Sequence, residues 1–339
     1  MAASKRARIR WLELLESFHD CPIGVYGDLI ADEFVYGEIS RVSREAPVLV
    51  LNYRQSRIVP GGAANAINNL RALGARPIPL GILGRDVTGN ALRKQFRKAK
   101  IPLSLVREVR GYQTPTKTRY SAGSTHSSRQ QVLRIDRGTG FSHTPNTIAV
   151  AQARLRELRG RCRALIVSDY GYGFVTPEVV QPVLCENQSI PVTLDSRFSL
   201  MRFSGFTGCT PNEPEVEAAL NITIGNNISK LEQCGKALLK RLRLKSLLIT
   251  RGKDGMTLFV ARKNPVHIPI FGSDEIADVT GAGDTVIAVF TLALACGASF
   301  YEAARLSNYA GGLVVMKEGT ATVSTSELMI AIEADVGAA

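Results

Sequence analysis

The sequence has no closely spaced pair of cysteines, although it contains six of them. Without a Cys-x-x-Cys motif, neither a zinc site nor a disulfide framework is expected, and the reducing cytoplasm is the compartment that fits. The chain also lacks a long apolar run, since the stretch from Val286 to Cys296 is far shorter than the roughly 18 to 20 residues that span a bilayer. Its basic start is followed by acidic residues rather than by the apolar core of a signal peptide. The composition therefore predicts a cytoplasmic protein without a membrane partner.

Acidic residues are fewer than basic ones. Lysine and arginine total 42 against 30 for aspartate and glutamate, and the excess gathers in residues 5–10, 93–100 and 154–163. Such clusters usually form solvated helix faces, and the functional alternative is the steering of anionic substrates. Nucleic-acid binding is the weakest interpretation, because no nucleic-acid motif or interleaving of aromatic with basic residues accompanies the charge. We therefore expect no nucleic-acid partner.

Short β-type runs alternate with helical segments along most of the chain. These runs are residues 23–26, 77–83, 164–168, 191–194 and 246–249. Repeated β-then-α units predict an α/β fold with a mostly parallel sheet and helices on both faces. The economical interpretation is a single domain over residues 1–339. Two further β-rich regions, about 34–58 and 114–136, do not fit the core pattern.

The segment from Asp278 to Thr285 reads Asp-Val-Thr-Gly-Ala-Gly-Asp-Thr and leads into an apolar helical run. Its small residues let an anion approach the backbone, and the unpaired N–H groups of the first helical turn point at that anion. Asp284 lies in the same field, which favours its ionised form, so it can accept a proton from a nearby hydroxyl. The segment predicts a hydroxyl attacking a phosphoryl group. The structural alternative is a loop in which Asp284 only caps the helix.

Two other segments carry candidate ligand residues. Asp28 and Asp32 follow the first predicted strand, and ligands of open α/β sheets bind at the carboxyl ends of strands. A turn with two solvated acids fits the same spacing equally well. Pro60-Gly-Gly-Ala-Ala-Asn65 then opens a helix that is predicted to run to Gly74. The paired glycines permit close approach of a ligand, and Asn65 can both donate and accept hydrogen bonds.

Together these motifs resemble the ribokinase-like (PfkB) carbohydrate kinases, from about Ile23 to Leu328. The resemblance implies a three-layer, doubly wound sheet and a small β-sheet lid, formed by about 34–58 and 114–136, that closes over a sugar and excludes water. It implies an ATP-dependent phosphotransferase in which Asp284 is the catalytic base. The implied anion hole is Gly281, Ala282 and Gly283, and the implied sugar contacts are Asp28, Asp32, Gly61, Gly62 and Asn65.

Four cations occupy further candidate positions. Lys117 and Arg119 alternate on a lid strand and so share one face, Arg134 lies in the same region, and Arg197 follows the strand 191–194. Exposed charges that deter edge pairing are the common alternative. A sugar that already carries a phosphate needs such groups, so these four are the candidates to bind it.

The nucleotide and metal sites are implied by the same resemblance. The family places the ribose and phosphates of ATP against a Thr-x-Gly turn, which here is Thr250 and Gly252. Its Asn-x-x-Glu element orders magnesium and the bound waters, which implies Asn212 beside the nucleotide and Glu215 as the metal residue, in keeping with the preference of Mg²⁺ for oxygen ligands. Asn308 is implied in the adenine pocket, with helix packing as the alternative.

ATP and Mg²⁺ are thus the expected cofactors. The resemblance is also compatible with a K⁺ ion as a further cofactor, bound by carbonyls around Asp278 and Thr280. Lid sheets in this family often pair between subunits, and an exposed β-edge around 48–53 favours a homodimer through the lid.

Within the family, segments 28–32, 41–48, 60–65 and 278–287 look most like the kinase domain of the heptose 7-phosphate kinase/ADP-heptose synthase group. That resemblance implies phosphorylation of the O1 hydroxyl of D-glycero-D-manno-heptose 7-phosphate, a precursor of lipopolysaccharide core heptose. The chain is shorter than the bifunctional members, so no nucleotidylyltransferase domain is expected.

Two departures from the group concern lysines at the ligand edge. Tyr172 stands where the group usually has lysine, and Asp195-Ser-Arg-Phe198 stands where it usually has Asp-Pro-Lys-Gly, although Arg197 preserves one charge. The alternatives are another sugar or nucleoside kinase, such as a fructokinase, ribokinase or adenosine kinase, or a non-catalytic regulator that binds a sugar phosphate.

Overall fold

The computed structural model describes residues 5–123, 130–186, 189–272, 278–317 and 319–336. The helices are α1 (Lys5–Glu16), α2 (Ala63–Ala72), α3 (Val87–Lys98), α4 (Pro145–Arg159), α5 (Pro177–Glu186), α6 (Glu213–Leu220), α7 (Ile228–Arg241), α8 (Ala282–Ala295), α9 (Phe300–Val315) and α10 (Thr325–Val336). The strands are β1 (Pro22–Gly27), β2 (Leu29–Val42), β3 (Leu49–Gly62), β4 (Arg76–Gly84), β5 (Leu105–Val109), β6 (Thr116–Gly123), β7 (Gln130–Arg137), β8 (Ala164–Asp169), β9 (Val192–Ser196), β10 (Gly208–Cys209), β11 (Ser246–Thr250), β12 (Met256–Val260) and β13 (Val266–Ile268).

Nine of these strands form one mixed sheet, in the order β13-β12-β11-β10-β9-β8-β1-β4-β5. The pairs from β11 to β5 are parallel, whereas β12 and β13 pair antiparallel at one edge. The predicted α/β class with a mostly parallel sheet is therefore confirmed. Since parallel strands share one direction, their carboxyl ends all lie at the same edge of the sheet.

Alternation along the central strands divides the core into two layers. On β8, Ala164 and Ile166 pack with α1, α2, α8, α9 and α10, whereas Leu165 and Val167 pack with α4, α5 and α7 on the opposite face. All four side chains are fully buried, and burying one such aliphatic side chain stabilises a fold by about 1.5 to 3 kcal/mol. Continuous apolar strands of this kind require helices on both faces, which gives the three layers.

The remaining four strands form a second sheet, in the order β3-β2-β6-β7. The predicted lid regions, 34–58 and 114–136, lie largely within it, but β2 begins at Leu29 and β3 continues to Gly62. Pro60, Gly61 and Gly62 therefore end a strand, and the helix that they were predicted to open begins at Ala63. Gly74, with a φ of +81°, follows the end of that helix as predicted. Closure of this sheet over a ligand stays a prediction.

Two features of composition have structural counterparts. Within the described ranges, no helix combines the length and apolarity needed to cross a membrane. All six cysteines are free thiols.

Candidate active site

A cavity of about 730 Å³ lies at the carboxyl edge of the large sheet, beside the second sheet. Residues from β2, β6, β9, β11 and the start of α8 line it, so segments that are far apart in sequence meet there. This is the edge at which open α/β sheets bind ligands. The cavity therefore contains the candidate active site.

Asp284 enters the cavity from the first turn of α8. Gly281 precedes the helix with a φ of +81°, a conformation that glycine adopts without a steric cost. The helix behind it is apolar on nearly every side and packs between α2 and α9, which fixes the position of its N-terminus. The Asp284 carboxylate accepts hydrogen bonds from the Tyr170 hydroxyl, at 2.7 Å, and from Asn65 Nδ2, at 2.9 Å.

The environment of Asp284 suits a base that works near neutral pH. Burial raises the pKa of Asp284 to about 7, and the negative charge of Asp32 adds to the rise. The hydrogen bonds from Tyr170 and Asn65, together with the positive charge of Lys117, lower the same pKa and limit the rise. A carboxylate with a pKa near the working pH can accept a proton from a hydroxyl and release it again.

The predicted anion hole is partly open. Gly281, Ala282 and Gly283 all line the cavity. The Ala282 amide donates to the Val279 carbonyl, at 3.3 Å, whereas the Gly283 amide has no hydrogen-bond partner among the described residues. Space beside Gly283 is also open, since a Cβ built there meets no atom within 4 Å. The amide best placed for an anion is thus that of Gly283.

Asp32 is a second buried acid that lines the cavity. Arg119 Nη1 donates to its Oδ1, at 2.6 Å, and the Thr320 hydroxyl donates to its Oδ2, at 3.2 Å. Gly61 makes room for this carboxylate, because a Cβ on Gly61 would lie 2.4 Å from Asp32 Oδ2. Gly61 itself does not line the cavity, so its direct contact is with Asp32.

Gly62 and Asn65 support the catalytic centre in a similar way. A Cβ on Gly62, whose φ is +54°, would lie 3.2 Å from the Tyr170 ring. Asn65 is fully buried and donates to Asp284, and a Cβ on Gly281 would lie 2.5 Å from its Nδ2. Gly62 lines the cavity and Asn65 does not. The glycine-rich segment therefore positions the acids and Tyr170 as well as bordering the ligand space.

The structure does not bring Asp28 to the cavity, although the sequence placed it among the sugar ligands. Its Oδ2 accepts the backbone amides of Tyr170, at 2.8 Å, and Tyr172, at 3.2 Å. Burial raises the pKa of Asp28 to about 7, and nearby Asp169 adds to the rise. Asp28 thus holds the loop after β8 in place, because its carboxylate points under that loop rather than into the cavity.

All four candidate cations line the cavity: Lys117, Arg119, Arg134 and Arg197. Arg134 also binds Asp136 through two hydrogen bonds, at 2.9 and 3.0 Å. Burial lowers the pKa of Lys117, and the positive charge of Arg197 lowers it further. An anionic group between them would relieve that repulsion.

The predicted nucleotide residues line the cavity as well, namely Asn212, Thr250, Gly252 and Asn308. Asn308 Nδ2 donates to the Pro269 carbonyl, at 2.9 Å, and so holds the neighbouring backbone. Apolar surface of the kind that can contact an adenine ring is supplied by Met256, Ile270, Val279, Val286 and Val315.

Glu215, the predicted metal residue, lines the cavity together with Asp195. Glu215 Oε2 accepts the Asn212 amide, at 2.9 Å, and Asn212 Oδ1 accepts the Glu215 amide, at 2.8 Å, which is a capping box at the start of α6. Burial, with the charges of Glu215 and Asp284, holds the pKa of Asp195 well above its usual range. Burial also raises the pKa of Glu215.

The carboxylates of Glu215 and Asp195 fit a magnesium ion that takes only part of its ligands from the protein. No group of three or more His, Cys, Asp or Glu side chains able to hold a metal occurs in the part of the chain that is described. Mg²⁺ usually takes one or two carboxylates together with waters and substrate phosphates. Two acids at the cavity wall whose pKa values are both raised match that requirement, because a cation nearby would stabilise their ionised forms.

Three functional candidates were not assigned from the sequence. Tyr170 and Asp195 follow or end buried strands, and that position alone marks the ligand edge. Nothing in their spacing indicates that Tyr170 contacts Asp284. Thr320, which binds Asp32, lies 288 residues further along the chain and has no sequence signal of its own.

The fold, together with a cavity that combines the buried carboxylate of Asp284, the open start of α8 and several cations, is that expected of an enzyme that transfers phosphoryl groups. Residues 25–327 match the model of the pfkB family carbohydrate kinases. The chain belongs to that family, and it is a carbohydrate kinase.

Among curated proteins, the chain is similar to the "Bifunctional protein HldE" of Geobacter metallireducens, with 39% identity over 312 residues. The match covers 90% of this chain and 61% of that protein, so the chain spans about three fifths of its relative's length. Among solved structures, the fold is similar to Arabidopsis thaliana ribokinase complexed with ribose and ATP, at a TM-score of 0.70 and 19% identity, over 92% of this chain and 99% of that one. It is also similar to phosphofructokinase-2 from Escherichia coli in complex with potassium, at a TM-score of 0.74 and 16% identity, over 93% and 99% of the two chains. The predicted ribokinase-like fold is confirmed.

Proposed function

We propose that this enzyme transfers a phosphoryl group from ATP to the O1 hydroxyl of D-glycero-D-manno-heptose 7-phosphate. The observation that carries the proposal is the cluster of four cations, Lys117, Arg119, Arg134 and Arg197, that line the cavity. A neutral sugar carries no charge for such a cluster to bind, whereas a sugar phosphate does. The similarity to the bifunctional relatives and the segments 28–32, 41–48 and 60–65 supports the choice of heptose.

The chemistry follows from the residues at the centre. Asp284 accepts the proton of the acceptor hydroxyl, and the amide of Gly283 donates to the phosphoryl oxygens as the group moves. Asp32 orients the sugar through its hydroxyls. Glu215 and Asp195 would hold Mg²⁺, which when bound would supply positive charge to the ATP phosphates.

The first test is ADP release from Mg-ATP with heptose 7-phosphate, fructose 6-phosphate, fructose, ribose and adenosine. A strong preference for the heptose phosphate supports the proposal. Arg197→Met then raises the KM for the phosphorylated sugar at least tenfold and leaves that for ATP within about threefold, because only one end of the cavity is changed. Arg202→Met removes an exposed arginine paired with Glu178 and serves as the matched control.

A specific observation supports the second candidate, a kinase for an unphosphorylated sugar or a nucleoside. Arg119 is already paired with Asp32 and Arg134 with Asp136, so part of the cationic charge is neutralised within the protein. Efficient turnover of fructose, ribose or adenosine, with no effect of Arg197→Met, would establish that alternative. Binding of a sugar phosphate without ADP release from any member of the panel would indicate a non-catalytic regulator.

We also propose a homodimer formed through the second sheet. Several of its apolar side chains are exposed, namely Ile39, Val42, Val48, Leu49, Tyr53, Val132, Leu133 and Ile135. An exposed apolar sheet with two open edges favours association with a second copy. Light scattering after size exclusion gives the mass directly, and Leu133→Lys is expected to shift a dimer to the monomer.

Two further expectations accompany this proposal. The enzyme works in the cytoplasm, where ATP is present and its six thiols stay reduced. Potassium activation is expected if carbonyls near Asp278 and Thr280 bind the ion. Replacing K⁺ with tetramethylammonium in the assay tests this directly.

A further inference from the structure

Among the described residues, the hydroxyl of Tyr170 is the closest hydrogen-bond donor to the proposed base. It lies 2.7 Å from Asp284 Oδ1, while Asn65 Nδ2 lies 2.9 Å from Oδ2, so each carboxylate oxygen receives one protein hydrogen bond. Each oxygen keeps a further lone pair for a substrate hydroxyl. The two donors together fix the plane of the carboxylate and the direction in which it can accept a proton.

The surroundings of Tyr170 hold its ring in this position. Its backbone amide donates to Asp28 at 2.8 Å, and the Gly171 amide donates to Asp169 at 2.9 Å, so two buried carboxylates anchor the loop. The absence of a side chain at Gly62 leaves space for the ring on one side. On its other side, the ammonium group of Lys117 lies 4.9 Å from the ring centroid.

We propose that Tyr170 is a positioning residue for the phosphoryl-transfer reaction, which orients Asp284 and stabilises its ionised form through the hydroxyl. This inference rests on the proposed role of Asp284 as the base. The sequence motif around Asp284 does not indicate a role for the Tyr170 hydroxyl. The two residues lie 114 positions apart and meet only in the folded chain. The role requires one oxygen atom, so it can be separated from the packing of the ring.

The charges around the base determine the sign of the expected effect. Burial raises the pKa of Asp284 and the Tyr170 hydrogen bond lowers it, so loss of the hydroxyl raises it further. The charged and titratable groups that face the carboxylate are Asp32 on β2, Lys117 on β6, Tyr170 after β8 and Asp195 on β9. All of them except the Tyr170 hydroxyl are unchanged by Tyr170→Phe, which keeps the ring and its contact with Lys117.

The experiment compares the pH dependence of kcat for the full chain and for Tyr170→Phe between pH 5.5 and 9, in saturating Mg-ATP and sugar. At pH 7 we expect kcat to fall about tenfold or more and the acidic limb to move up by roughly one pH unit, as loss of one hydrogen bond to a charged group predicts. The substrate's own ionisation is the same for both proteins, so only the difference between the two profiles counts. Tyr172→Phe, in the same loop, is expected to leave the limb where it is.

Each outcome either supports or overturns the positioning role of Tyr170. A lower kcat with an unmoved limb would indicate a packing role and overturn the proposal, as would a profile identical to that of the unmodified chain. Melting temperatures establish that both variants are folded. Asp284→Asn is measured in parallel: if it keeps turnover, the base itself is wrong and the proposed function fails, whereas an inactive Asp284→Asn with an unaffected Tyr170→Phe removes only the role of Tyr170.

Discussion

Gly281→Ala tests whether the residue before α8 holds the base and its partner together. Its φ of +81° lies in the left-handed region, which costs an alanine about 1 to 2 kcal/mol. A Cβ there would also lie 2.5 Å from Asn65 Nδ2 and 2.9 Å from Thr320 Cγ2. Since Asn65 donates to Asp284, displacing it removes a hydrogen bond to a carboxylate, an interaction of about 1.5 to 3 kcal/mol.

Two matched variants separate these effects. Gly111 has a φ of +78° and no atom within 4 Å of a built Cβ, so Gly111→Ala carries the backbone strain alone. Gly283 lies inside α8 with equally open space, so alanine there should stabilise the helix by about 0.5 to 1 kcal/mol. We expect the free energy of unfolding to fall most for Gly281→Ala, less for Gly111→Ala, and to rise for Gly283→Ala.

Urea denaturation at 25 °C measures these differences, and steady-state assays measure the effect on the site. If Asn65 moves, kcat of Gly281→Ala falls roughly ten- to a hundredfold, the range that corresponds to the lost hydrogen bond. Gly111 does not line the cavity, so Gly111→Ala should keep its kcat. Equal losses of stability for Gly281→Ala and Gly111→Ala, with an unchanged kcat, would refute the reasoning, because the contact with Asn65 would then have no consequence.

Three further changes have directions that the structure fixes. Asp284→Asn should lower kcat by about 10² to 10⁴, the usual contribution of a general base, with KM for both substrates nearly unchanged; substantial remaining turnover in a steady-state assay would contradict the assignment. Asp28→Asn should gain stability relative to the unmodified chain as the pH rises. The pKa of Asp28 is raised from 3.8 to about 7 by burial, so its stabilising contribution is full below pH 3.8 and is lost as the pH passes 7; urea midpoints that differ by the same amount at pH 5 and pH 8 would argue against this. Glu215→Gln keeps the capping box but removes a charge, so the Mg²⁺ concentration for half-maximal activity should rise about tenfold; an unchanged Mg²⁺ titration would count against a role in holding the ion.

Local interactions explain why much of the architecture could be predicted. The helix that begins after Gly281 depends on contiguous residues, since small residues, a left-handed glycine and an apolar run together form an open helix N-terminus. The alternation of β-type and helical segments likewise fixes a parallel sheet, because parallel neighbours need crossover helices. The sequence alone therefore also predicts that ligands bind at the carboxyl edge of the sheet.

The orientation of individual side chains and the exact ends of strands were harder to predict. Asp28 and Asp32 are only four residues apart, yet Asp28 turns under the loop after β8 while Asp32 lines the cavity. The glycines of Pro60-Gly61-Gly62 end β3 rather than open α2. Strand pairing decided both outcomes, because β2 and β3 pair along their length as far as Leu29 and Gly62. Such pairing joins residues that are distant in sequence, so local propensity does not predict it.

By itself the sequence determined the fold class, the family and the group of residues that come to the ligand edge, since each depends on contiguous motifs or on a repeated period. Only the tertiary structure decided which of these side chains touch. Asp284 meets Asn65 and Tyr170, which are 219 and 114 residues away in the chain, and Asp32 meets Arg119 at a separation of 87. These contacts set the charge and orientation of the proposed base. They depend on side-chain directions at the ends of separate strands, and those directions are fixed only when the two sheets and α8 pack together.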